Sequence, residues 1–149
     1  TLGSGIVNRF HHSSGAVNSG HVASGVVRAA INFVIDGGTT ALASGHKGHV
    51  QIPWNCDLES LVLLGNTSGS SVRLGIWKDT YANFPPTSGD TITTSGVPLL
   101  SGSSRFLYSG TAALSGWTTN WSMGDILSFN VLSGTTFTRV TVGMQVGVK

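Results

Sequence analysis

Charge is the scarcest commodity in this chain: Asp, Glu, Lys and Arg make up 9% of its 149 residues, against roughly a quarter in ordinary soluble domains. Hydroxyls, glycine and backbone must therefore wet its surface, which argues against an ordinary cytosolic enzyme. The basic residues are also dispersed. Arg9, Arg28, Lys47, Arg73, Lys78, Arg105, Arg139 and Lys149 stand singly, without the stripe that phosphate neutralisation needs, so nucleic acid is not expected as a partner. There is one cysteine, Cys56, which excludes an intrachain disulfide or a multi-cysteine metal site and is expected to be a buried small hydrophobe. No apolar run approaches the ~18 residues of a membrane-spanning helix, so no membrane insertion is expected. The opening Thr1-Leu2-Gly3-Ser4 has no signal-like pattern and no initiating Met, from which a fragment or processed product is expected. Nucleophile elbows, P-loops and dinucleotide fingerprints are absent too.

What is present is a patterned apolar content of 40%, enough for one sizeable core at this length. The first 31 residues and the remainder carry different patterns. Ser-Gly recurs at Ser4-Gly5, Ser14-Gly15, Ser19-Gly20 and Ser24-Gly25, and the last three are each followed within two residues by Val17, Val22 or Val27. One such unit cannot bury its own apolar side chains, and so few units cannot stack into a solenoid. A solvated linker would not place Val and Ile so regularly. The expectation is a fibre segment, residues 1–31, in which three parallel copies share an axis with Ile6, Val7, Val17, Val22 and Val27 turned inward.

From residue 32 to 149 the pattern is that of an all-β, antiparallel, jelly-roll-like sandwich. Short alternating runs predict strands at 32–36, 48–52, 58–64, 71–78, 91–94, 105–109, 125–132 and 136–148. In the last, Val140, Val142, Met144, Val146 and Val148 alternate with Arg139, Thr141, Gly143, Gln145 and Gly147. Gly37-Gly38, the stretch 66–69, Pro85-Pro86, Ser88-Gly89, Ser101-Gly102 and Ser133-Gly134 supply the turns. No helical period is visible.

Several strings then become recognisable. Ile35-Asp36-Gly37-Gly38, the stretch from Gly45 to Pro53, Ile76-Trp77-Lys78-Asp79-Thr80-Tyr81-Ala82-Asn83-Phe84-Pro85-Pro86-Thr87, Gly116-Trp117-Thr118-Thr119, Gly124 to Leu127 and Thr138 to Thr141 resemble a domain common in structural proteins of tailed bacteriophages. The Ser-Gly repeat separately resembles the trimeric β-structured shafts of phage fibres. The resemblance implies a virion component with no defined catalytic residues. It does not account for the five histidines.

Those histidines are the natural candidates for metal. His46 and His49 are three apart on a turn-to-strand segment, a spacing that is not expected to hold both on one face. His11, His12 and His21 are the stronger set, since any inward His becomes a ring of three in a trimer, although ordinary polar positions in the fibre suit them better. The six acids are scattered, and none pairs visibly for glycosidase work. No enzymatic activity, cofactor or resident metal is expected.

For binding, Trp77 has parity opposite to Val72, Leu74 and Ile76 and introduces a polar, aromatic loop. Trp77, Asp79, Tyr81 and Asn83 form the candidate ligand set, with a ring to stack on a sugar and polar groups to bond its hydroxyls. The competing use of these aromatics, covering an end of the sandwich or packing on a neighbouring subunit, is the preferred one. Variable-looking loops at 66–70 and 96–104 are the alternative places for receptor contact.

The expected protein is a homotrimeric fibre or spike of a phage virion, contacting other virion proteins and displaying its sandwich to a host-surface polysaccharide. A capsid or tail decoration protein and a free carbohydrate-binding module are the alternatives.

Overall fold

Alternation of oily and polar residues makes a strand with one face to bury, and two sheets of such strands can satisfy one another. That is the solution adopted in the computed structural model, which describes residues 27–94, 96–133 and 136–149. The strands are β1 (Val27–Asp36), β2 (Gly45–Gln51), β3 (Cys56–Gly65), β4 (Ser71–Asp79), β5 (Leu99–Ser101), β6 (Arg105–Ser109), β7 (Asn120–Trp121), β8 (Ile126–Ser133) and β9 (Arg139–Val148). Sheet one has the order β1-β9-β3-β6, with β7 beside the start of β3, and sheet two the order β2-β8-β4-β5.

Every pairing is antiparallel. Strand β1 pairs with β9, β2 with β8, β3 with β6 and β4 with β5, which describes one long hairpin whose tip is the β4–β5 connection. Rolling that ribbon brings β9 against β3 and β8 against β4, which is the double Greek key of a jelly roll. The expected fold class is thus the observed one.

The core lies between the sheets. Sheet one contributes Ile31, Ile35, Leu61, Leu63, Val140, Val142, Met144 and Val146, and sheet two contributes Val72, Leu74, Ile76, Leu100, Leu127, Phe129 and Val131, all buried. Burying each such side chain is worth roughly 1.5–3 kcal/mol. Trp121 closes one end, its indole N–H donating to the Thr118 carbonyl at 2.8 Å. Cys56 is buried as expected, and burial pushes its thiol pKa up.

The elements depart from expectation in several places: β7 was not expected, β2 starts three residues earlier and β9 three residues later than the alternation suggests, and other differences are larger. Strand β1 begins at Val27, so residues 27–31, assigned to the fibre segment, pair with β9, and Ile31 joins the core. The run 91–94 makes isolated bridges, Thr91 to Trp77 and Thr93 to Trp117, while β5 forms at 99–101. A short helix, Gly110–Ala113, follows β6. Of the trimer-core candidates, Ile6, Val7, Val17 and Val22 lie outside the described residues, as do His11, His12 and His21; Val27 opens β1 with half its surface exposed.

The two sheets are joined by a ring stack. Phe33 of β1 lies flat on Phe129 of β8, with centroids 4.3 Å apart and planes 6° from parallel. Gly48, opposite Phe129, makes room: a Cβ there would meet Phe33 Cζ at 2.7 Å, and its φ of +150° disfavours any side chain. Gly48→Ala should therefore cost about 1–3 kcal/mol through overpacking. Equilibrium urea unfolding checks it, and Phe33→Leu should cost less in the Gly48→Ala background than in the native one, since the two changes share one space. An unchanged midpoint for Gly48→Ala would sink the packing argument.

Candidate functional site

Strand β8 is unusual in being buried on both faces. Leu127, Phe129 and Val131 face the core, yet the intervening Ser128 and Asn130 are 0% and 3% exposed. Pairing register identifies what surrounds them. Ser128 sits between His49 of β2 and Trp77 of β4, and Asn130 between His46 and Gly75. These six residues form two adjacent rows on the outer face of sheet two. Asn130 Nδ2 donates to Ser128 Oγ at 3.3 Å, which partners both floor groups.

Both imidazoles reach this face, contrary to expectation, because β2 contains a β-bulge. Between His46 and Gly48 the register slips, Lys47 becomes the extra residue, and positions three apart recover the same side. Their Nε2 atoms are 3.1 Å apart, a hydrogen bond in which one ring donates and the other accepts. Burial, and secondarily the neighbouring His46, lowers the His49 pKa.

Trp77 forms the opposite wall. Gly75 allows it to lie low, since a Cβ there would approach Trp77 Nε1 at 3.1 Å and Leu132 Cδ2 at 3.0 Å. Among the described residues the indole N–H has no acceptor, and no buried polar side-chain atom lacks a partner, so this donor faces solvent. The connection after β4 supplies the rim. Phe84 packs on His49 with centroids 4.7 Å apart, and Pro86 is buried. His46, His49, Trp77, Phe84, Pro85 and Pro86 enclose an open cleft of about 370 Å³.

The candidate ligand set is divided by this arrangement. Trp77 lines the cleft. Asp79 Oδ1 accepts from Thr80 N at 2.7 Å and Asn83 Nδ2 at 3.2 Å, so these two polar residues shape the 3-10 turn Tyr81–Asn83 and are bonded to each other. Tyr81 projects into solvent, 75% exposed. His46, His49 and Phe84 were not in the set; the bulge that aligns the histidines has no sequence signal beyond Gly48. Phe84 lies on the outer face of sheet two, against His49, where an end of the sandwich or a neighbouring subunit was the expected place for that loop's aromatics. Of the alternative loops, 66–70 is braced at its start: Asn66 Oδ1 accepts from the amides of Thr138 and Arg139, and its Nδ2 donates to Thr138 Oγ1.

Every carboxylate is committed elsewhere. Asp36 accepts from Gly38 N and Arg139, contacts that hold its pKa below the usual carboxylate range, and Asp90 is held low by Thr87 N and the Thr87 hydroxyl. Asp57 pairs with Lys149, Glu59 with Arg28, and Asp125 with Lys78 and the Ser122 amide. Among the described residues no group of three His, Cys, Asp or Glu side chains is placed to hold a metal ion. What the cleft offers is two aromatic surfaces, an indole donor and an imidazole pair, suited to non-covalent recognition of a ligand with hydroxyls and an apolar face.

No family model matches the chain, and no curated protein is detectably similar to it.

The imidazole pair has a measurable consequence. A lowered His49 pKa means that the unfolded chain binds the proton more tightly than the folded one, so stability falls as pH drops below the ordinary value of 6.5 and levels off below the folded midpoint. An NMR titration should place the His49 midpoint below 6.5, and His46→Gln should move it back upward. A midpoint at or above 6.5 in the native chain would refute the burial of this imidazole beside His46.

Proposed function

We propose that this chain is a structural protein of a tailed-phage virion, a fibre or spike that trimerises through its N-terminal repeat and displays the jelly roll for attachment to a host-surface glycan. The observation that carries the binding half is the cleft on sheet two, where Trp77, Phe84 and the imidazole pair line one open concavity. A pyranose has an apolar face for an indole and equatorial hydroxyls for polar neighbours, and a shallow open cleft admits one sugar of a longer chain. The engagement of all six carboxylates in ion pairs or backbone hydrogen bonds supports a binding protein with no catalytic residues. The IWKDTYANFPPT string, which carries the resemblance to phage structural proteins, supplies both Trp77 and the rim of the cleft.

The assembly half comes from the repeat, whose valines and isoleucines need sister chains for burial. The virion is the corresponding location, with other virion proteins as partners.

The test is binding of the full-length chain to host cells and to their purified surface polysaccharide. Trp77→Ala, on an outer face where it supports no core residue, should weaken binding about tenfold or more while leaving the far-UV spectrum unchanged. Failure of the native chain to bind any envelope fraction would overturn the attachment reading in favour of a decoration protein that stabilises the virion.

A further inference from the structure

We propose that the outer face of sheet one is the surface on which sister copies of this chain pack, with three such faces turned toward a common axis. This rests on the homotrimer reading above and assigns the surface that the domain contributes to it.

The pairing registers define the face residue by residue. One row runs Asn32, Gly143, Val62, Leu107; the next runs Val34, Thr141, Leu64, Arg105; a third runs Ala30, Gln145, Ser60, Ser109. In a sandwich these outward positions ordinarily carry polar side chains. Here the centre is aliphatic. Val34 is 52% exposed, Leu64 45% and Leu107 59%. Gly143 keeps the middle low, because a Cβ there would meet Val62 Cγ1 at 2.8 Å and Asn32 Oδ1 at 3.2 Å, and a shallow depression of about 470 Å³ results.

Charge is confined to the margins and mostly neutralised. Arg28 pairs with Glu59 at one end of the face at 2.6 Å, and Arg139 pairs with Asp36 at the other at 2.9 Å. Arg105, at the β6 edge beside Leu64, is the one charged group of these rows and is in none of the four ion pairs among the described residues. An apolar centre inside a polar rim is the anatomy of a protein–protein contact. It contrasts with the outer face of sheet two, where the 80–86 connection and the imidazoles already cover the central strand.

Two observations identify the occupant as a second copy. First, β1 is the edge strand of this sheet, and the 26 residues that carry the Ser-Gly repeat join the domain at its first residue, Val27. On the trimer reading, copies gathered by that repeat would be tethered at the edge strand of sheet one. Second, the face is small. Four strands about 4.8 Å apart and about five residues at about 3.4 Å each give an area on the order of 300 Å², well short of the ~800 Å² per partner of a stable complex. Such a face would hold a free partner only weakly, and it gains most from copies already held by a tether at millimolar effective concentration. The chain's formal charge of only +2 leaves little repulsion to overcome.

Sedimentation velocity on the full-length chain over a dilution series tests the assignment, with Val34→Glu and Leu107→Glu as two independent variants on the face. Leu132→Glu, at a comparably exposed aliphatic position on sheet two, is the control. The expected result is a trimeric native chain, an unaffected control, and dissociation of both face variants at concentrations at least tenfold higher than the native chain, with near-UV spectra unchanged. A trimeric native chain whose mass and dilution profile survive both substitutions would overturn the assigned surface while leaving the trimer intact. A native chain that is monomeric at every concentration would overturn the trimer reading and this inference together.

Discussion

The missing side chain at Gly48 is the constraint on which both halves of this domain converge. On the inside, the space it leaves is filled by the Phe33 ring, whose stack on Phe129 links β1 of one sheet to β8 of the other. On the outside, the same residue closes the bulge that turns His46 and His49 to one face. A strand without the bulge would send one imidazole toward the core, where burial would strongly penalise its charged form. Core packing and cleft chemistry are thus set by one backbone feature, and neither can be altered at that position without the other.

The jelly-roll topology explains why the cleft lies where it does. Rolling a single long hairpin puts β8 in the centre of sheet two with neighbours on both edges, so its outward residues lie at the bottom of a channel whose sides come from β2 and β4. The β4–β5 connection is long enough to fold back over that channel, and it brings Phe84 and Pro86 down on the histidine side. Sheet one has β9 in the equivalent place, but the described connections leave its outward face bare. The molecule consequently has one partly covered face with an open cleft lined by rings and one bare face with an aliphatic centre, two surfaces of different chemistry on opposite sides of one core.

Much of this was legible in the residues because strands with one buried face announce themselves by alternation. The 140–146 run, the placement of Val72, Leu74 and Ile76 inside with Trp77 outside, and β6 at 105–109 were all readable that way. Strand β5 was not, because three residues carry too little pattern to stand out beside the more β-branched 91–94 run, which meets β4 only at Ile76 and Trp77 while 99–101 pairs with Ser71 to Arg73. The start of β1 was hidden by its own composition. Val27, Ala29 and Ile31 continue the strand parity but read equally as the tail of the repeat, and only pairing with all of β9 decides between them. The histidine alignment was illegible for a different reason: period-two reasoning is reliable until a bulge adds one residue, and a bulge is a property of the pair of strands, which a single strand's sequence does not contain.

The low charge content links the two faces to the environment in which each would act. Ion pairs occupy Asp36, Asp57, Glu59 and Asp125, and Asp79 and Asp90 are bonded to turn amides, so the carboxylates serve internal geometry, and the formal charge of the chain is only +2. On the proposed reading, recognition would work through contact: ring faces, imidazoles and aliphatic area. Such interactions act over a few ångströms and are little affected by ionic strength, whereas charge-steered association weakens within a Debye length of about 8 Å at physiological salt. Short-range contacts are individually weak, and a single cleft of this size would hold a neutral sugar only loosely. In the proposed trimer, repetition of the cleft around a common axis would offset that weakness, because a second and third site would engage at the effective concentration fixed by the first. On that proposal the aliphatic face of sheet one and the cleft of sheet two would be energetically complementary: packing on the first would raise the number of copies of the second.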